Sequence, residues 1–278
     1  MTPRLDDYQG KLLAEVIEGR FGLAFNGVRQ DILASRLETR LRTLHLQDFM
    51  EYYQYLRAHP DREAEFSELT RRLTNNETYF FREPQHFEVI TRHVLPQLSL
   101  QRGARPLRVL SAGCSSGEEP YSLVIALQNA GLELGGITWE IDACDLNRDR
   151  LEQAREGIYE PNSLRACEDE VRRRYFTESA GRFTLRPRHR KGVNFFEANL
   201  ANAVTGMGWP TYDAILCRNV LIYFNEPTFF AVIARFARAL APGGYLLLGH
   251  SESLIDKVPE FVPELVEGVV VYRRTGEL

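Results

Sequence analysis

The chain is nearly without lysine: Lys11, Lys191 and Lys257 are the only three among 34 basic residues, and arginine supplies the rest. Its four cysteines, Cys114, Cys144, Cys167 and Cys217, stand far apart with no C-x-x-C pair. That spacing argues against both a disulfide framework and a zinc site, so no metal centre is expected. Long apolar runs are missing as well. A run such as Tyr245–Leu248 falls far short of the roughly 18 residues that cross a bilayer. The first ten residues carry Asp6 and Asp7 where a signal peptide would have an apolar stretch. A net charge of −4 argues against a general nucleic-acid binder, which would be basic. These absences point to a cytoplasmic protein with neither a membrane-inserted segment nor a nucleic-acid partner.

What is present is ordinary soluble-protein composition: 278 residues, 44% hydrophobic and 26% charged, enough for one large domain or two smaller ones around a sizeable core. Residues 1–105 balance 15 basic against 15 acidic side chains, so the net negative charge lies wholly in residues 106–278. The arginine bias is consistent with coding composition. Arginine also grips carboxylates bidentately, so its clusters bear on partner choice.

The two halves differ in periodicity. Residues 11–20, 29–46, 49–56 and 62–73 show apolar side chains at helical spacing and no strand-like alternation, which predicts an all-helical domain over 1–100. A linker at 101–106 follows. From Leu107 onward, strands alternate with helices: 107–110, 137–144, 212–217 and 244–249 read as strands, while 120–130, 149–156 and 227–240 read as helices. That alternation predicts a doubly wound parallel sheet, closed by antiparallel edge strands around a Glu267-Gly268 turn. Short strands about 172–197 fit that frame poorly and are expected to form a small insertion.

Open parallel sheets bind ligands at the carboxyl ends of their strands. Three segments fall there. The loop Ser111-Ala112-Gly113-Cys114-Ser115-Ser116-Gly117-Glu118-Glu119-Pro120-Tyr121 has small residues that let backbone approach a ligand. It lacks the G-x-G-x-x-G dinucleotide pattern, and Glu118 and Glu119 would repel a pyrophosphate. Asp145, closing the second strand, is either an acceptor for ribose hydroxyls or a helix N-cap. Arg218-Asn219 directly follows a buried strand. An adenosine site without pyrophosphate, lined by acids that favour a cation, points to S-adenosylmethionine.

Thr74-Asn75-Asn76-Glu77-Thr78-Tyr79-Phe80-Phe81-Arg82, Gly117-Glu118-Glu119-Pro120-Tyr121-Ser122 and Arg218-Asn219-Val220-Leu221-Ile222-Tyr223-Phe224 together resemble the CheR family, the chemotaxis receptor glutamate O-methyltransferases. The resemblance spans about residues 5–273. It implies a Rossmann-like S-adenosylmethionine-dependent methyltransferase domain with a small antiparallel β-subdomain, preceded by an all-α domain. By motif position it implies that Asn76, Thr78 and Arg82 close over the cofactor and that Ala112 and Gly113 line it. Glu118 would hold its amino-acid end, Asp145 the ribose, Asn199 and Leu200 the adenine, and Arg218 and Asn219 the methionine part. Asn147 stands where a second acid is common in the family and is given no role. Tyr79, Phe80 and Phe81 are expected to pack where the two domains meet.

A glutamate acceptor has an ordinary pKa of about 4.3 and is already ionised at neutral pH, so no general base is needed. Arg82 is expected to hold the carboxylate bidentately, and Tyr223 to donate a hydrogen bond to the carboxylate or the cofactor. On the helix over 29–44, Arg29, Arg36 and Arg40 fall within about 40° of one another at 100° per residue. The resemblance implies that this stripe meets the acidic methylation helices of a chemoreceptor. The short stretch 177–181 suggests independence of the receptor's C-terminal pentapeptide, and a monomer is expected. Two other readings stay open: transfer to another protein's carboxylate in a CheR-like signalling system, and a non-catalytic cofactor-binding sensor or scaffold.

Overall fold

The computed structural model describes residues 4–276 other than 25–28, 75, 104, 132–134, 203–208 and 256; the side chains of 29–32 are also outside the described set. Contacts divide the chain into two compact units, one of residues 1–75, 201–204 and 223–231, the other of residues 76–200, 205–222 and 232–278.

The first unit contains α1 (Asp7–Phe21), α2 (Arg29–Thr43), α3 (Phe49–Ala58) and α4 (Arg62–Leu73). Local chemistry sets their ends. Asp6 accepts from the Gln9 amide at 2.7 Å while the Gln9 side chain accepts from the Asp6 amide, a capping box that starts α1. Gly22, at φ 72°, ends it in the left-handed region. Asp48 caps α3 by accepting from the Met50 and Glu51 amides at 2.8 and 2.9 Å. The helical spacing of Leu33, Leu37 and Leu41 in α2 puts all three in the core, at most 1% exposed. Burial of each is worth about 1.5–3 kcal/mol. Residues from further along the chain complete this unit: Leu23 and Phe224 form a β-bridge, and the Ala24 amide donates to the Tyr223 carbonyl at 2.8 Å.

The stripe of Arg29, Arg36 and Arg40 is not an open row of cations. Arg40 is 9% exposed and donates to both oxygens of Glu65, with Glu68 a further 3.6 Å partner. A guanidinium so held is part of the core. Arg36 is half-buried, with Nη1 on the Leu73 carbonyl at 2.8 Å. The Arg29 side chain lies outside the described residues.

The second unit is built on a seven-stranded sheet of order β6-β2-β1-β7-β8-β10-β9, from β1 (Leu107–Ala112), β2 (Trp139–Asp145), β6 (Val193–Glu197), β7 (Tyr212–Cys217), β8 (Leu240–Leu248), β9 (Phe261–Val266) and β10 (Val269–Arg274). The first five in spatial order run parallel; β10 and β9 are antiparallel. The strand order reverses between β1 and β7, and the ligand site of such a sheet lies at that reversal. A separate antiparallel sheet has the order β3-β5-β4, from β3 (Ile158–Tyr159), β4 (Phe176–Ser179) and β5 (Arg182–Leu185).

Two boundaries differ from the sequence expectation. Residues 193–197 belong to the main sheet, pairing in parallel with 141–145, and the small sheet instead recruits residues 158–159. Residues 84–102, expected in the helical domain, form helices that bury Phe87, Ile90, Val94, Leu95 and Leu98 against the sheet. Helical periodicity says that a face is buried but not against what. Among the described residues no helix is long and apolar enough to cross a membrane.

Candidate active site

The loop after β1 is closed on itself. Gly113 and Cys114 amides both donate to the Cys144 carbonyl at 2.8 and 2.9 Å, and the Gly117 amide to the Cys114 carbonyl at 3.0 Å. The Ser115 amide donates to Asp145 Oδ2 at 2.8 Å, and the Asn147 amide to Asp145 Oδ1 at 2.8 Å. Four loop amides are therefore committed within the protein, which leaves no cradle of the kind that binds a pyrophosphate. Asp145 ties the ends of β1 and β2 together, whereas the N-cap of the following helix, α8 (Arg148–Glu156), is Asn147. Gly113 sits at φ 80°, and a Cβ there would lie 2.4 Å from Val220 Cγ2, so the close approach of the β1 and β7 loops requires glycine.

Glu118 and Glu119 open α7 (Glu118–Asn129), where carboxylates suit the helix dipole. Glu118 is 1% exposed. Its two oxygens accept from Ser116 Oγ at 2.7 Å and Ser163 Oγ at 3.0 Å. Burial raises its pKa above the ordinary value, with the serine hydrogen bonds opposing. Burial raises Glu119 and Asp145 in the same way. Three carboxyls are thus gathered in a dry setting at the ends of β1 and β2, and a cationic ligand would favour their charged forms. That donor set fits S-adenosylmethionine, with Glu118 and Asp145 the residues that would hold it.

The loop after β6 reaches the same place, since the Ala198 amide donates to the Asp145 carbonyl at 3.0 Å. Asn199 is half-buried and Leu200 is 6% exposed. Ala112 is fully buried at the end of β1.

The segment before α5 (Pro84–Val89) is anchored to this unit by its aromatic residues. Phe80 is wholly buried, edge-on to Tyr159 and Phe176 at 4.8 and 5.0 Å; its amide donates to the Ser163 carbonyl at 2.8 Å. The Phe81 amide donates to Ser122 Oγ at 2.9 Å. Phe80 is thus a core residue of the second unit. The Asn76 carbonyl accepts from Ser115 Oγ at 3.3 Å, and Thr78 is half-buried nearby in sequence. Arg82 sits between two non-glycine residues with positive φ, Phe81 at 57° and Glu83 at 55°, each such conformation costing about 1–3 kcal/mol. Its Nη1 donates to the Glu77 carbonyl at 3.0 Å.

Arg218 has a side chain 2% exposed. Its Nη1 lies 3.1 Å from Glu119, and its Nη2 donates to Glu83 at 3.1 Å and to the Arg82 carbonyl. Asn219, at φ 60°, donates its side-chain amide to Glu83 at 3.5 Å. The expected pair after β7 thus forms an internal network, and its guanidinium meets two carboxylates before any ligand. Sequence reasoning missed Glu83 and Glu252. Glu252 accepts from the amides of Gly249, Asn219, Val220 and Leu221 at 2.7–2.9 Å. A lone glutamate four residues past β8 has no periodic signature. Glu83 directly follows Arg82, the last residue of the most specific motif, and could have been found from that position. Tyr223 is described with the first unit.

Comparison with known proteins identifies the family. Residues 76–265 match the family "CheR methyltransferase, SAM binding domain" and residues 9–74 match "CheR methyltransferase, all-alpha domain". The chain is 36% identical over 267 residues to the chemotaxis protein methyltransferase of Salmonella typhimurium, covering 94% of this chain and 90% of that one. It is 34% identical over 259 residues to the Escherichia coli protein of the same name, covering 91% and 87%. It is 35% identical over 262 residues to the probable biofilm formation methyltransferase WspC of Pseudomonas aeruginosa; there the match covers 94% of this chain and 61% of the relative. The chain belongs to the CheR family of S-adenosylmethionine-dependent methyltransferases.

Proposed function

We propose that the protein transfers a methyl group from S-adenosylmethionine to glutamate side chains of a chemoreceptor cytoplasmic domain, forming methyl esters that tune sensory adaptation. The observation that carries this reading is the Arg82 turn, fixed to the unit that holds the acidic β1 and β2 ends. The relatives named chemotaxis protein methyltransferases support the chemotaxis setting.

The cofactor, when bound, supplies an electrophilic methyl group. The protein's part is placement. Arg82 donates from Nη1 to the Glu77 carbonyl and its guanidinium lies 5.9 Å from the centre of the Tyr79 ring, and Nε and Nη2 are the side-on edge that would grip a carboxylate with two bonds. Holding that carboxylate in line is worth about 7–11 kcal/mol of barrier. Asn76, Thr78, Ala112, Gly113, Asn199, Leu200 and Asn219 line the cofactor. With Arg40 buried, Arg36 is the described cation of the stripe left to meet a receptor. The turn between β4 and β5 is only Ala180-Gly181, since Ser179 and Arg182 pair across it. That short turn supports recognition without a receptor pentapeptide. The enzyme acts as a cytoplasmic monomer.

The test is transfer of radiolabelled methyl to receptor cytoplasmic fragments, followed by mild alkali. Release of the label as volatile methanol supports carboxyl esters; alkali-stable label overturns the reading. Arg82→Ala should lower transfer far more than cofactor affinity, and equal losses would reduce Arg82 to a binding residue.

A further inference from the structure

The Glu83 carboxylate is the hub of a contact set that no step above uses. Its Oε2 takes Arg218 Nη2 at 3.1 Å and its Oε1 takes His250 Nδ1 at 2.7 Å. Asn219 Nδ2 lies 3.5 Å from Oε1, and His86 Nδ1 is 3.4 Å from Oε2. Arg218 reaches in the same stroke to the carbonyl of Arg82 and, from its other amino group, to Glu119. His86 is tied in turn to the Leu248 carbonyl at the end of β8, at 3.0 Å. Glu83 is therefore bonded to groups at the ends of two sheet strands, while its own backbone and that of Phe81 hold the left-handed conformation on either side of Arg82.

Two strained residues flanking Arg82 do not hold a turn unaided; surrounding contacts must fix them. We propose that Glu83 is a positioning residue for methyl transfer. Through Arg218 it clamps the 81–83 turn to the end of β7, and the clamp aims the Arg82 guanidinium at the acceptor carboxylate. The inference rests on the acceptor role given to Arg82. Glu83 itself touches neither acceptor nor cofactor in this account. Arg218 serves as its lever, which explains why a guanidinium buried to 2% exposure sits between two carboxylates at the mouth of a site for a cation.

Glu83→Gln keeps the shape and removes the charge. Three readouts are taken on the full-length protein: thermal midpoint, cofactor affinity by calorimetry, and kcat and KM for receptor fragments. Cofactor affinity should stay close to wild type and the thermal midpoint should fall in part, because glutamine keeps the hydrogen bonds but not the charge paired with Arg218, while kcat falls roughly 30- to 100-fold, the scale of a misplacement near 1 Å. In an Arg82→Ala background the same change should lower kcat by less than about twofold, because residues acting through one another are not additive. A full additional loss in that background, or a kcat loss matched by equal loss of cofactor affinity, overturns the assignment. Amide exchange read by mass spectrometry provides a check that needs no activity. Glu83→Gln should speed exchange in 80–86 and 218–222 and leave the small antiparallel sheet unchanged; unchanged exchange in 80–86 also overturns it. Failure of the wild-type protein to make alkali-labile esters would count against the proposed function, and the exchange result would still decide the clamp.

Discussion

Arg40 grips Glu65 side-on inside the helical unit, Nε and Nη2 each reaching a separate carboxylate oxygen at 2.9 and 2.6 Å. The Tyr52 hydroxyl adds a third bond to the same carboxylate at 2.6 Å. The Glu65 side chain is 2% exposed, so removing its partner leaves a buried charge with little compensation. Arg40→Ala should lower unfolding free energy by about 3–5 kcal/mol, read from urea denaturation of the intact protein. Arg36→Ala should cost less than half as much in stability while raising KM for the receptor fragment. If Arg40→Ala unfolds like wild type and loses only receptor affinity, Arg40 would return to the partner surface.

Gly113 tests how closely the β1 and β7 loops must approach. Its φ of 80° and the 2.4 Å at which a Cβ there would meet Val220 Cγ2 penalise any side chain twice, by backbone strain and by collision. Gly113→Ala should lower the thermal midpoint and weaken cofactor binding at least tenfold, consistent with an overpacking cost of about 1–3 kcal/mol. Val220→Ala in the same chain should recover part of both losses, since it removes the colliding methyl groups. A Gly113→Ala protein with wild-type affinity would mean that the loop relaxes freely.

Much of this candidate site can be argued from the sequence, and the reason differs by residue. Glu118 and Asp145 follow from a general rule about parallel sheets: acids placed right after strands arrive at the ligand end. Asn76, Thr78 and Arg82 came from motif resemblance, because nothing in periodicity places a coil segment over a sheet. Arg40 failed for a specific reason. A helical wheel gives the angle of a side chain but not what faces it, and α4 brings Glu65 and Glu68 against that angle. Glu252 was out of reach because its partners are backbone amides, which carry no sequence signal. Residues 193–197 were misjudged because an edge strand with mixed burial alternates like an isolated hairpin.

The cysteines should be chemically silent in the folded protein. Cys114, Cys144, Cys167 and Cys217 are all free and buried. Burial lifts the Cys144 and Cys167 thiols to about 12 and raises those of Cys114 and Cys217 well above their ordinary value. Thiolate is the reactive form, so a colorimetric disulfide reagent should titrate none of them quickly in buffer and all four in denaturant. Rapid reaction of even one thiol in buffer would show that the strand ends open far more often than their packing implies.

Cofactor binding should depend on pH in a direction fixed by Glu118 and Asp145. In the free protein burial raises both carboxyls above their ordinary values of 4.5 and 3.8. An acid raised in the folded state binds protons more tightly there than in the unfolded chain, so its contribution to stability falls as pH rises through that interval. A cation placed beside these groups reverses the preference by favouring the charged forms. Affinity should therefore increase with pH across the interval, binding should release protons, and the rise in thermal midpoint on adding cofactor should widen as pH increases. Glu83 works in the opposite sense. Burial alone would raise it, but hydrogen bonds from His250 and Arg218, with the Arg218 charge, outweigh that and bring it to about 2. Its contribution is present above 4.5 and is lost as pH falls toward 2, which adds an acid limb to unfolding of the free protein. Calorimetry in buffers of differing ionisation enthalpy measures the proton count directly. Glu118→Gln should reduce the released protons and flatten the affinity profile. Proton uptake on binding, or an affinity that ignores pH across this range, would remove the two buried acids from the cation's surroundings.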